Sequence, residues 1–245
     1  MGGSLATGDY TPYVSDLDLV ALADGPVDTA RQATLTTLHR GIDKGIGSGL
    51  KLGCVYADVG RLSDLRELHW TWTHGKSVQR ILSGVARAEL VRHGYAIFGR
   101  SPLGCLPAMS NDDVREAARA ELTGYWQWAA RRPFLWLDPV IADLGLSSMA
   151  RGRHALATGE LLTKTRAVEM AAAPAWLIEQ LRARRRGEQI TSPRARTALI
   201  AWLDARRTVA LARCHRGGPT RHAVGVYRRI CALLLDVGCA GGSGW

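Results

Sequence analysis

The sequence predicts an α+β protein: a small mixed-sheet domain over residues 1–108, an α-helical bundle over 109–239 and a short tail, 240–245. Three observations predict it. Strand-like apolar runs broken by glycine clusters occur in the first hundred residues. A proline-bearing stretch, Ser101 to Ser110, reads as a linker. Beyond it, cap residues and 3.6-residue apolar spacing recur to the end of the chain.

In order, Asp16 to Val20 opens a first strand, Ala21 to Pro26 reads as a loop, and Val27 to about Gly41 has helical spacing through Ala30, Leu35 and Leu38. Gly45, Gly47 and Gly49 then break the chain. Leu50 to Ala57 is an apolar run and a second strand, and a polar loop leads to His69-Trp70-Thr71-Trp72-Thr73-His74. Ala96 to Phe98 reads as a short third strand. In the second half, Asn111 or Asp112 caps a helix carrying Val114, Ala118, Leu122, Trp126 and Ala129. Pro133 starts a segment that Gly159 stops. A third segment covers Thr163 to Ala172, a fourth opens at Pro174, and Ser192-Pro193 opens a fifth. Thr220 to Val237 reads as a last helix.

The 245 residues are 47% hydrophobic and 22% charged, ordinary values for a globular protein with a real core. No apolar stretch reaches the roughly 18 residues of a membrane span, and no charged-then-apolar signal opens the chain, so a cytoplasmic location is expected. Five cysteines without a C-x-x-C pair, and seven scattered histidines, point to reduced, mostly buried thiols and to no transition-metal site. The net charge is +10, and all but four of the 32 basic residues are arginine, a bias that coding composition also produces. Runs such as Arg182 to Arg186 carry no interleaved aromatics and read as solvated helix faces rather than as a nucleic-acid surface.

The chemistry concentrates at the N-terminus. Gly3-Ser4 is followed, twelve residues after the serine, by Asp16-Leu17-Asp18 at the head of an apolar run. Side chains alternate along a strand, so Asp16 and Asp18 share a face while Leu17 points to the other. Adjacent carboxylates repel, and a hard cation such as Mg²⁺ relieves the repulsion. A Gly-Ser turn brings backbone N–H groups close to phosphate oxygens, because glycine has no Cβ in the way.

Gly3-Ser4 with Asp16 and Asp18 resembles the signature of the polymerase-β-like nucleotidyltransferases. The layout of a small α/β domain before a helical one is similar, within that superfamily, to the aminoglycoside adenylyltransferases that modify streptomycin and spectinomycin. Ser147-Ser148-Met149-Ala150-Arg151, Ala157-Thr158-Gly159 and Thr163-Lys164 match the order of a basic residue, a small-residue helix end and a lysine in the family's helical half. The resemblance implies transfer of AMP from Mg-ATP to a hydroxyl of a small molecule, with an aminoglycoside as one acceptor class. It implies Asp16 and Asp18 as metal ligands, Gly3 and Ser4 at the terminal phosphates, Lys164 at the triphosphate and Arg151 lining the cleft. Trp72 lies where the family places an aromatic against the antibiotic, although alternating Trp and Thr is equally the pattern of a half-buried strand.

Three departures accompany the resemblance. The strand expected to carry a third carboxylate, Leu50 to Tyr56, has no acid. Asp58, between Ala57 and Val59, is the candidate, as metal ligand or base, with Glu67 next. Asp138 and Asp143 miss the offset of the acid that family members use to read streptomycin, so acceptor identity does not carry over. In the family the Gly-Ser turn follows a strand and a helix, whereas Met1 and Gly2 alone precede it here, which leaves either a lost first strand or a start further upstream. A catalytically silent nucleotide-binding protein, and an adenylyltransferase acting on protein or RNA, are the alternatives.

Overall fold

The computed structural model describes residues 1–214 and is mixed α+β, with one four-stranded sheet. The chain divides into two compact units, one ending at Ser110 and one beginning at Asn111. The last helix expected from the sequence, the tail, Cys231 and Cys239 lie outside the described residues.

The first unit opens with a four-residue helix, α1 (Gly3–Ala6), and a tight loop into β1 (Asp16–Ala23). The Ser15 hydroxyl folds that loop by accepting from the Thr11 amide at 3.0 Å. β1 runs through Ala23, so the expected loop at Ala21 begins three residues late. Pairing with β2 (Lys51–Asp58) continues to Ala23↔Asp58 and holds those residues extended. The crossover is α2 (Thr29–Lys44), capped by Asp28, which accepts from the Arg31 amide at 2.8 Å. β1 and β2 are parallel, while β3 (Leu68–Thr73) and β4 (Lys76–Ile81) complete the order β1-β2-β3-β4 as antiparallel neighbours. The β3–β4 hairpin turns on His74 and Gly75, both at positive φ (50° and 72°), the backbone of a two-residue turn that matches strand twist. Ser83 then caps α3 (Gly84–His93). β4 and α3 have no counterpart in the sequence reading.

Ala96 to Phe98 is not a strand: the segment bends, no strand lies beside it, and the Phe98 side chain is 98% exposed. The stretch expected to be a linker carries a short 3₁₀ turn, Pro102–Gly104.

The sheet has two unlike faces. Registers Asp18↔Gly53, Val55↔Thr71 and Thr71↔Val78 place Asp16, Asp18, Gly53, Val55, Thr71, Thr73, Val78 and Arg80 on one face. That face is closed at one end by Leu62, Leu82, Leu90 and Val91, with Val20 and Ala86 against them. The opposite face carries Cys54, Tyr56, Trp70 and Trp72 beneath α2.

In the second unit every described element is helical. α4 (Asn111–Glu121) continues through a π turn, Leu122–Trp126, into α5 (Gln127–Ala130). A 3₁₀ turn, Pro133–Leu137, precedes α6 (Pro139–Thr158), which Asp138 caps and Gly159 ends at φ 75°. α7 (Lys164–Glu169), α8 (Ala175–Arg185) and α9 (Arg194–Cys214) follow. Trp126, Trp136, Leu146, Met149 and Leu177 are buried together, and the Trp136 indole N–H is satisfied by the Ala129 carbonyl at 3.1 Å. The basic run on α8 is engaged rather than simply solvated. Arg184 makes a two-point contact with Asp143 at 2.6 and 2.9 Å, and Arg182 bonds Glu169. Among the described residues no helix is long and apolar enough to cross a membrane. Of the three described cysteines, all free, only Cys54 is buried, and burial pushes its thiol up to about 11.

Candidate functional site

Gly2, Gly3, Asp16 and Asp18 line a cleft of about 280 Å³ in the first unit. Asp16 lies twelve residues after Ser4, and three hydrogen bonds close that distance. The Gly2 amide donates to the Asp18 carbonyl at 2.8 Å, the Asp9 amide to the Ser4 carbonyl at 2.8 Å, and the Lys51 ammonium to the Val14 carbonyl at 3.1 Å. The turn is thereby laid against the strand that carries the acids. Gly3 sits at φ 60°, and a Cβ on it would overlap the Asp18 carboxylate. No other residue type tolerates both conditions. Gly3→Ala is therefore expected to weaken Mg-ATP binding by about tenfold or more while costing about 1–3 kcal/mol of stability. Calorimetric titration and thermal unfolding of the same preparation check both.

Asp16 and Asp18 occupy alternate positions of β1, with Cα atoms about 6.6 Å apart, and open onto the cleft together. Ser4 is buried beside them, but it does not line the cleft, and its hydroxyl has no hydrogen-bond partner among the described residues. An orphaned buried hydroxyl costs free energy that a nearby acceptor would offset.

Asp58 is not brought to this site. It ends β2 opposite Ala23, about 16 Å or more along the sheet from Asp18. Strand alternation also assigns it to the other face, and its carboxylate caps the Gly60 amide at 2.9 Å. Glu67, the next candidate, accepts from Arg61 at 2.9 Å and does not line the cleft either. The acid that does is Glu89 on α3. Trp72 is likewise absent from the cleft. It is 1% exposed, it donates its indole N–H to Asp43 at 3.0 Å, and it stacks on His39 at 5.2 Å. Its neighbours Thr71 and Thr73 face the cleft instead, so Trp72 is a core residue and offers no surface to an acceptor ring.

Arg151 and Lys164 belong to the second unit. The Arg151 Nε donates to the Leu162 carbonyl at 2.9 Å, which fixes the α6–α7 connection just before Lys164, the first residue of α7. Arg151 and Lys164 thus both lie at the α6–α7 connection.

Sequence reasoning missed the remaining charge in the cleft, Arg80 on β4. Burial pushes its guanidinium below its usual range, and the carboxylates of Asp16 and Asp18 oppose that shift. The turn residues His74-Gly75 were the available signal, since a two-residue turn there pairs Thr71 with Val78 and puts Arg80 on the acidic face.

Among the described residues no group of three His, Cys, Asp or Glu side chains is placed to hold one metal ion. Two carboxylates suffice for Mg²⁺, which keeps several waters and takes its other ligands from substrate phosphates. The hard oxygen donors of Asp16 and Asp18 fit that ion. In comparison with known proteins, no protein-family model matches the chain and no curated protein matches it significantly.

Proposed function

We propose that this chain is a Mg²⁺-dependent nucleotidyltransferase that transfers AMP from ATP to a hydroxyl of a small molecule, with aminoglycosides as one candidate acceptor class. The observation that carries the reading is the pairing of Asp16 and Asp18 on one strand face, opening onto a cleft whose wall is the glycine turn at residues 2–3. Their two carboxylates would hold the ion and lose their mutual repulsion on binding it. Bound Mg²⁺ would neutralise phosphate charge and lower the pKa of the attacking hydroxyl. Gly3 lets the turn lie against the Asp18 carboxylate, so that its backbone would form the wall beside the phosphates. With Asp58 remote, Glu89 takes its place as the acid to test as general base.

One specific observation favours a second reading, a catalytically silent nucleotide-binding protein. Binding requires the turn and the acid pair, whereas turnover also requires a base, and no third acid joins Asp16 and Asp18 in a three-ligand cluster among the described residues. An adenylyltransferase of protein or RNA would suit the +10 charge better than one acting on a polycationic antibiotic.

Mass spectrometry decides between them. The protein is incubated with Mg-ATP and a panel of aminoglycosides and other hydroxylated acceptors, and products are read for added AMP and released pyrophosphate. Transfer that persists in Asp58→Asn and falls by about 10²-fold or more in Glu89→Gln is the expected result. Mg-ATP binding without transfer to any acceptor would establish the silent reading instead.

A further inference from the structure

We propose that Arg80 is the anion-binding residue of the cleft, donating its guanidinium N–H groups to phosphoryl oxygens of the nucleotide polyphosphate. The assignment rests on the nucleotide reading of the same site. It begins with register. His69↔Arg80 and Thr71↔Val78 put Arg80 on the face that carries Asp16 and Asp18, although β2 and β3 lie between. The positions that intervene on that face are Gly53, Val55, Thr71 and Thr73, so no side chain larger than valine stands between the acids and the guanidinium. A larger side chain at residue 53 would fill that space.

The other basic side chains of the cleft have hydrogen-bond partners. Lys51 donates to the Val14 carbonyl, and His74, which is exposed, shares a hydrogen bond with the Thr73 hydroxyl at 2.8 Å. Arg80 lines the cleft and forms no hydrogen bond or ion pair with any described residue. Its environment nonetheless strips water from it, which is why burial is the leading influence on its protonation. The half-buried guanidinium keeps N–H donors that no described side chain takes up, and Asp16 and Asp18 act on it only through space. A phosphate chain supplies what is missing, because its oxygens match the planar fork two at a time. Metal on the two acids would remove their competing negative field, so phosphate and metal favour each other at this site.

The alternative role for Arg80 is structural, as a counter-charge to the acid pair. The two roles separate in the metal-free protein. Inorganic tripolyphosphate, in the presence of a chelator, is titrated calorimetrically into Asp16→Asn/Asp18→Asn, where neither acid repels an anion and no metal assists it. The result expected is measurable binding, weakened about tenfold or more when Arg80→Gln is added. Arg80→Lys keeps charge and stem but not the fork, and should lose about three- to tenfold. Circular dichroism confirms folding of each variant, and Arg80→Lys decides the matter if Arg80→Gln does not fold. Tripolyphosphate affinity that ignores residue 80, or no affinity in any folded variant, overturns the proposal. Mg-ATP titrated into wild-type protein is the separate arm. Binding there with an indifferent residue 80 leaves the nucleotide reading standing without Arg80. Arg80-dependent tripolyphosphate binding without Mg-ATP binding leaves the anion site standing without nucleotidyl transfer.

Discussion

Asp16→Asn/Asp18→Asn is expected to weaken Mg-ATP binding by at least about a hundredfold and to lower AMP transfer by about 10³-fold or more. The reason is charge. Asparagine keeps the size and one oxygen of each side chain but cannot neutralise a divalent ion, and the cleft would then hold Mg-ATP through phosphate contacts alone. The substitution should leave the fold intact. It removes the repulsion between two acids on one strand face, and it also removes the through-space compensation of Arg80, so the two effects oppose each other. Thermal unfolding supplies the control. A ligand at about 100 times its dissociation constant stabilises the native state by about 2.7 kcal/mol, so wild-type protein should melt higher with Mg-ATP than without. The double variant, with a site about a hundredfold weaker, should gain about 0.4 kcal/mol or less from the same ligand. Equal stabilisation of the two proteins by Mg-ATP would move the nucleotide away from these acids.

How much of this site is legible in the sequence depends on whether the information is local. The shared face of Asp16 and Asp18 follows from strand alternation over three residues, and the helix boundaries at Gly159 and Thr163 follow from cap chemistry within one turn, whereas α6 starts at Pro139 and not at the expected Pro133, which opens only a 3₁₀ turn. The positions that require long-range pairing do not follow. Asp58 fits an apolar-acid-apolar template, yet only the parallel register Ala23↔Asp58 reveals that it ends the strand far from Asp18. Lys76 to Ile81 lacks an apolar run, so the turn at His74-Gly75 is the one local signal of β4, and of Arg80 with it. Ala96 to Phe98 shows the converse: three residues with strand character form no strand where no neighbour offers hydrogen bonds. The Gly-Ser turn lies between these cases. Its residue types announce close approach, but the group approached, the Asp18 carboxylate, is known only from the fold.

Trp72 carries the same lesson into energetics. Trp72→Ala is expected to destabilise the first unit by about 3–5 kcal/mol, the cost of deleting a fully buried indole. Three contacts go together: the stack on His39, the tilted stack on Trp70 at 6.4 Å and the hydrogen bond to Asp43. The Asp43 carboxylate would lose a donor while the cavity beneath α2 stayed apolar, so water would compensate poorly. Trp72→Phe retains most of the packing and loses the N–H, and about 1–2 kcal/mol should separate it from wild type. Urea unfolding followed by circular dichroism measures both. Because Thr71 and Thr73, not Trp72, face the cleft, Trp72→Phe should bind Mg-ATP and accept the same acceptors as wild type. A Trp72→Phe protein of wild-type stability that had lost acceptor binding would reverse the assignment and put the indole on the substrate side of the sheet.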